Sequence, residues 1–283
     1  MEQLKSRLQR LYSDASKHAR YQNIPKFVCD ELGYKETIKE EWRGDTARYE
    51  YIRNTIDFSG KDIVDIGANT GFFTLSLAYE YKDSLFTAIE GNQNHSKFIC
   101  MVIDGFGLKN VQVNDYYVTY KNVGSIGSYD LALLFNVLHH AGVDFDNEYV
   151  SMPQKLENYI KKYVLQLRKC AAEVVFQMGY NWGGNKKKPV VPLEKDAEKV
   201  IYTGKIFTAS GWVIKSIATA YKVEEKKKIV YKNIPSEIVE MLNKQENDRS
   251  ILSIINENLY EEMNQLSEFY RRPIFILRRS GDS

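Results

Sequence analysis

The segment Asp62-Ile63-Val64-Asp65-Ile66-Gly67-Ala68-Asn69-Thr70-Gly71-Phe72-Phe73 restricts the fold of this chain more than any other stretch. A β-branched run after the Ser59-Gly60 turn reads as a short buried strand. Gly67 and Gly71 follow, and 72–79 reads as a helix. Glycine enters backbone angles that other residues avoid, and its lack of a side chain lets a ligand approach the main chain. The start of the helix offers N–H groups without intrahelical partners. A strand, glycine turn and helix in this order belong to an open α/β sheet, where ligands bind at the carboxyl ends of strands.

The alternation continues. Strands are expected at 85–90, 111–113, 129–135 and 173–178, with helices at 93–106 and 148–170 between them. The 129–135 run is nearly all apolar, as suits a strand covered on both faces. Alternating strands and helices predict a parallel sheet whose right-handed crossovers place helices on both faces. Before this core, 1–20 reads as an amphipathic helix with Leu4, Leu8, Leu11 and Tyr12 on one face. A second helix is expected over 46–56, with Asp45 as its N-cap. After Trp182 the spacing predicts an exposed loop at 183–188, a helix over 193–208, strands at 213–217 and 228–231, helical material over 235–268, and a last strand at 273–277. The division read from this is a helical extension (1–58), a core (59–182), and a cap or insertion with terminal strands (183–283).

Composition narrows the function classes. The chain has 283 residues, 43% hydrophobic and 27% charged, which excludes a disordered chain, a fibre and a disulfide scaffold. No run approaches the roughly 20 apolar residues of a membrane span. The first 20 residues are charged throughout, so no signal peptide is read and a cytoplasmic location is expected. Thirty-nine basic and 37 acidic residues nearly balance, which argues against a dedicated DNA-binding surface. The basic runs 186–188, 226–228 and Arg271, Arg272, Arg278, Arg279 are read as solvated turns or strand ends. Cys29, Cys100 and Cys170 lie far apart, with no zinc spacing, and are read as reduced and mostly buried; no metal site is expected.

Glu90 closes the expected second strand about 20 residues after the glycine loop, where such folds present a carboxylate to ribose hydroxyls. His139 and His140 follow the fourth strand. A histidine there can take a proton near neutral pH, or it can brace the loop. His18 and His95 are read as surface residues. The segment Phe176 to Trp182 ends the fifth strand, and Gln177, Tyr180, Asn181 and Trp182 are candidates for lining an acceptor pocket.

Taken in order, residues 65–71, 89–92, 114–115 and 130–140 resemble the motifs of class I S-adenosylmethionine-dependent methyltransferases, and the resemblance covers about 45–180. It implies a doubly wound, mostly parallel, seven-stranded Rossmann-like sheet. It also implies S-adenosyl-L-methionine as cofactor, with S-adenosyl-L-homocysteine as product. Asp65 would sit near the cofactor amino group, Gly67, Asn69 and Gly71 would form the loop, and Glu90 would hold the ribose. Asn114 and Asp115 would meet the adenine amine, and Asn136 the methionine end. Trp42, Arg43 and Arg48 are further candidates for the cofactor carboxylate. Asn69 stands where the common pattern has its middle glycine. That departure disfavours a dinucleotide, whose pyrophosphate needs the glycine. The segments 136–140 and 176–182 are similar to methyltransferases of bacterial surface-polysaccharide pathways, which implies O-methylation of a small-molecule or glycan acceptor on a hydroxyl or a phosphate. An RNA methyltransferase and a non-catalytic cofactor-binding partner protein are the alternatives. The oligomeric state stays open.

Overall fold

The structure is a computed structural model, and it describes residues 2–13, 20–34, 44–192, 195–223, 228–258 and 266–281. The chain divides into two compact units, Met1–Val118 and Thr119–Ser283.

The first unit runs α1 (Glu2–Tyr12), α2 (Lys26–Leu32), α3 (Asp45–Thr55), β1 (Asp62–Ile66), α4 (Phe72–Glu80), β2 (Leu85–Ile89), α5 (Gln93–Phe106) and β3 (Val111–Asn114). Its strands pair in parallel in the order β3-β2-β1. One apolar cluster joins Leu8, Tyr12, Val28 and Leu32 of the N-terminal helices to Ala68, Leu75, Ala88, Phe98, Ile99 and Val102. The helices ahead of β1 therefore share the core of the strands. Helix α1 packs on α5, and the Leu4 side chain comes so close to Gly105 that a Cβ there would lie 2.5 Å from it. Helix α3 starts one residue earlier than the sequence suggests. Gly44, in the left-handed region at φ 65°, is the N-cap, and Asp45 is the first helical residue. Asp45 is buried, accepts the Asn23 N–H at 2.8 Å and pairs with Arg48.

The second unit runs β4 (Tyr129–Phe135), α6 (Leu156–Leu167), β5 (Ala171–Gln177), α7 (Asp196–Ala209), β6 (Trp212–Val223), β7 (Lys228–Asn233), α8 (Ser236–Asn243), α9 (Asp248–Asn258) and β8 (Ile274–Arg279). Strand order is β4-β5-β8-β6-β7. β4 and β5 are parallel, whereas β8 runs antiparallel to both β5 and β6, and β7 antiparallel to β6. Among the described residues there are eight strands where the resemblance implies seven, and three of their pairings are antiparallel. The cause is local. Val223 and Lys228 are register partners, so β6 and β7 form a hairpin, which can only be antiparallel. Helices α7 and α8 pack on β6. Helix α6 is shorter than the expected 148–170, because Pro153 opens a single 3₁₀ turn over Pro153–Lys155 before the α-helix begins.

Candidate functional site

In the first unit, register brings the sequence candidates into one row. Ile66 pairs with Ile89, and Ile89 with Asn114. Gly67, Glu90 and Asp115 therefore leave neighbouring strands at their carboxyl ends, where α/β sheets hold ligands. The Gly67 N–H donates to Ile89 O at 2.8 Å and the Glu90 N–H to Asn114 O at 3.0 Å, which locks this row.

The loop between β1 and α4 needs the left-handed region at alternate residues: φ is 74° at Gly67, 53° at Asn69 and 78° at Gly71. Asparagine is among the few non-glycine residues that enter this region readily, so Asn69 keeps the backbone path of the glycine it replaces. Its Oδ1 also accepts the Thr70 N–H at 2.9 Å. At Gly71 the space beside the main chain is filled by the protein. A Cβ there would lie 2.9 Å from Ile99 Cγ1 and 3.1 Å from Leu75. Packing between α4 and α5, rather than room for a ligand, makes Gly71 a glycine. The N–H groups around the loop are also engaged. Asn69 donates to Glu90 Oε2 at 2.7 Å, and Phe72, first in α4, donates to Gln22 Oε1 at 3.1 Å.

Two backbone bonds orient the Glu90 carboxylate. Oε1 accepts from Asn92 at 2.8 Å and Oε2 from Asn69 at 2.7 Å. A carboxylate has about four acceptor sites, so each oxygen keeps capacity for a hydroxyl. Asp65 is buried and accepts a bond from Thr74 Oγ1 at 2.7 Å. Burial, opposed by that bond and aided by the Glu90 charge, pushes its carboxyl up to about 7. Thr70 Oγ1 and both ring nitrogens of His95 are buried with no hydrogen-bond partner among the described residues. His95, expected at the surface, is 2% exposed, with Nδ1 3.8 Å from Glu90 Oε1. Asp115 is exposed, Asn114 half-buried, and the Tyr117 ring lies against Gly91. A cluster of orphaned polar atoms beside an acid, a glycine turn and a second acid fits a polar ligand with hydroxyl and ammonium groups.

In the second unit, β4 hands over to a turn at Asn136, whose φ is 59°. Asn136, Gln177 and Arg272, all buried, close a ring of bonds. Asn136 Nδ2 donates to Gln177 Oε1 at 3.2 Å, Arg272 Nη1 to Asn136 Oδ1 at 2.8 Å, and Gln177 Nε2 to Arg272 O at 2.8 Å. The side-chain amide of Asn136 is therefore held by the protein itself. Arg271 and Arg272, expected as a solvated turn, are 7% and 3% exposed. Arg272 pairs with Glu268, while Arg271 and Lys199 share Asp196. Burial pushes the Lys199 ammonium down, against the pull of Asp196. Tyr180 lies 2.7 Å from Thr203 Oγ1, and burial pushes its phenol up. Trp182 Nε1 donates to Ala141 O at 2.8 Å, and Asn181 is buried and bridges to Pro189.

The two histidines differ. His139 is buried, and its Nδ1 accepts the Gly179 N–H at 3.2 Å. A Cβ on Gly179 would come within 2.7 Å of His139 Nε2 and 3.1 Å of Arg272 Cζ, so only glycine lets both approach. His140 is half-buried, with Nδ1 2.7 Å from Asp144 Oδ2. That contact is an electrostatic approach rather than an aligned hydrogen bond. The rings stand 4.1 Å apart at 48°. Asp144, Arg272 and His95 escaped the sequence reading. Only Asp144 left a signal, four residues after His140; Arg272 is 136 residues from Asn136.

Trp42, Arg43 and His18 lie outside the described residues. Arg48 is buried against Asp45 and the Phe73 ring, which spends its charge inside the unit. Of the cysteines, Cys170 is buried, Cys29 half-buried and Cys100 exposed, a correction to the expectation of mostly buried thiols. Among the described residues no cluster of His, Cys, Asp and Glu is placed to hold a metal, and no helix is long and apolar enough to cross a membrane.

No family model matches the chain, and no curated protein does. Among solved structures the chain is similar to WbdD, described as a bifunctional kinase-methyltransferase. That match has 20% identity and a TM-score of 0.39, and it covers 51% of this chain and 34% of WbdD, so the chain spans about a third of that protein. It is also similar to a candidate RNA methyltransferase of Pyrococcus horikoshii, at 12% identity and a TM-score of 0.46, over 100% of this chain and 99% of that one. A SAM-dependent methyltransferase from Aquifex aeolicus matches at 16% identity and a TM-score of 0.38, over 66% and 89%.

Proposed function

We propose that this protein is an S-adenosylmethionine-dependent methyltransferase that acts on an oxygen of a small-molecule or glycan acceptor. The observation that carries this reading is the row Gly67, Glu90 and Asp115, set by strand register above the buried acid Asp65. Glu90, oriented by two backbone N–H groups, accepts from the two ribose hydroxyls. Asp65 receives the cofactor ammonium and ionises as it does so. Asp115 and Asn114 meet the adenine amine, and Thr70 Oγ1 gains a partner it lacks. Bound S-adenosylmethionine would supply an electrophilic methyl group on a sulfonium. In the second unit, Asn136, His139 and His140 share the turn after β4. That turn is braced within the second unit by the Asn136–Gln177–Arg272 ring and by the Trp182–Ala141 bond.

Isothermal titration calorimetry tests the cofactor assignment. S-adenosylhomocysteine is expected to bind at micromolar affinity and NAD not to bind. Glu90→Ala removes hydrogen bonds to a charged acceptor and should cost on the order of 1.5–3 kcal/mol, roughly tenfold to hundredfold in affinity. Tight NAD binding, or unchanged affinity in Glu90→Ala, overturns the reading. RNA that stays on the purified protein and leaves with rising salt would point instead to an RNA acceptor.

A further inference from the structure

We infer that His95 is a positioning residue for Glu90: its Nδ1 carries a proton and faces the carboxylate from the protein side, so that Glu90 keeps its open acceptor sites for a vicinal diol. The specificity for a diol rests on the cofactor reading above. The contact between the two residues does not, and both belong to the first unit.

His95 is the third residue of α5, and local bonds fix that turn against Glu90. Asn92 is the link. Its N–H donates to Glu90 Oε1 at 2.8 Å, while its Oδ1 accepts the Asn94 N–H at 2.9 Å and the His95 N–H at 3.4 Å, which caps the helix. Ser96 Oγ donates to Glu90 O at 3.0 Å. One turn further, Ile99 packs against Gly71. The first turns of α5 are thus fastened to both the acid and the glycine loop. The His95 ring is 2% exposed and shares the buried face of the helix with Phe98, Ile99 and Val102. It therefore meets the carboxylate from inside.

The place of the proton follows from the partners. Neither ring nitrogen has a hydrogen-bond partner among the described residues, and Nδ1 lies 3.8 Å from Glu90 Oε1. A neutral imidazole has one N–H and one lone pair. With the proton on Nε2, a buried N–H would stay unpaired and the Nδ1 lone pair would face a carboxylate oxygen. With the proton on Nδ1, the N–H dipole points at the negative charge. What then stays unpaired is an acceptor, which folded proteins tolerate better than a donor. An imidazolium carries a proton on Nδ1 as well.

The distance has a consequence of its own. A separation of 3.8 Å is too long for a hydrogen bond, so the ring attracts the carboxylate without occupying an acceptor site. Oε1 already accepts from Asn92 and Oε2 from Asn69 at 2.7 Å. Of about four acceptor sites, one on each oxygen remains, and the adjacent hydroxyls of a ribose match that pair. A phenyl ring in the place of His95 would leave both backbone bonds but offer no positive end to the charge. The carboxylate would then be freer to turn away from the diol.

Imidazole ¹⁵N NMR on the full chain, with the four histidines assigned by single-residue variants, reads the contact directly. His95 Nδ1 should be protonated at neutral pH, and Glu90→Leu should remove that preference. A lone pair on Nδ1 in the wild type, or a tautomer indifferent to Glu90→Leu, overturns the inference. Calorimetry is the second arm. The wild type should bind S-adenosylhomocysteine more tightly than its 2′,3′-dideoxyribose analogue, and Glu90→Ala should make the two equal. His95→Phe should reduce the ratio of the two affinities about three- to tenfold, through weaker binding of the diol ligand. His95→Asn, whose amide N–H falls near the place of Nδ1, should restore most of the ratio. His95→Gln, whose amide falls near Nε2, should not. A histidine that only supports the fold would weaken both ligands alike, so an unchanged ratio in His95→Phe overturns the proposal. If His95→Phe does not fold, the tautomer and the comparison of the Asn and Gln variants decide. If the wild type binds no S-adenosylhomocysteine, the cofactor reading fails and the diol specificity with it, while the tautomer still decides the contact between His95 and Glu90.

Discussion

Asp65 carries a cost that an apolar residue at the same place would not. Its carboxyl is pushed up to about 7 in the folded protein, mainly by burial, against about 3.9 in an unfolded chain. Between these values the folded state holds a proton that the unfolded state has lost, so folding stability falls as pH rises from about 4 to about 7. Asp65→Asn has no such dependence. Its stability relative to wild type should improve by on the order of 3 kcal/mol between pH 5 and pH 8, read from urea unfolding at the two pH values. The same variant should bind S-adenosylhomocysteine more weakly, because the ammonium loses its carboxylate. A relative stability that does not change with pH would show that Asp65 is ionised in the folded protein. Asn69 is the other instructive residue. At φ 53° a β-branched residue costs about 1–2 kcal/mol, and both Gly and Val lose the bond to Thr70 N. Asn69→Val should therefore unfold at clearly lower denaturant than Asn69→Gly. Equal midpoints would mean that the loop relaxes out of the left-handed region.

At the scale of elements, the turn after β4 depends on a residue from the far end of the chain. Arg272 bonds Asn136, pairs with Glu268 and stacks on the Phe269 ring at 4.1 Å. Arg272→Met keeps the apolar stem but leaves Glu268 and Asn136 Oδ1 without their cation. Breaking one partner of a buried pair typically costs about 3–5 kcal/mol, so the melting temperature should fall by roughly 10 °C. A loss of only 1–2 °C would mean that Glu268 turns to solvent and that the ring does not brace the turn. Strand β8, which Arg272 precedes, lies between β5 and β6, so the Asn136 turn is tied to the strand that completes this part of the sheet. The pairing Ile66, Ile89, Asn114 plays the matching part in the first unit, because a one-residue slip would turn each side chain to the opposite face.

For the whole molecule, the two compact units give the ligand prediction its shape. Saturating S-adenosylhomocysteine at about 100 times its dissociation constant adds roughly 2.7 kcal/mol to the state that binds it. Hydrogen exchange should slow most in residues 62–117, which hold the β1–α4 loop, Glu90 and Asp115. Glu90→Ala should erase that protection at the same ligand concentration. Protection confined to residues 183–281 would place the cofactor elsewhere.

The sequence by itself determined the elements whose causes are local. The strand–turn–helix at 62–80 was legible because a β-branched run, glycines and an apolar helix follow each other without interruption. The 93–106 helix and the 129–135 strand were legible from periodicity and from apolar content, and they stand at those limits. The positions of Gly67 and Glu90 directly after strands, and of Gly71 at the start of a helix, were legible from the pattern around them. What depends on distant partners could only be decided by tertiary structure. His95 continues the buried stripe of Phe98, Ile99 and Val102 along α5, yet a polar residue on a short window reads as surface. Arg271 and Arg272 looked like a solvated basic run until Asp196 and Glu268 were placed beside them. The strands at 213–217, 228–231 and 273–277 were each legible locally, but the insertion of β8 antiparallel between β5 and β6 is encoded by no local pattern. Adjacent histidines are chemically equivalent in sequence. Tertiary structure separates them: His139 is buried and accepts the Gly179 N–H, whereas His140 is half-buried beside Asp144.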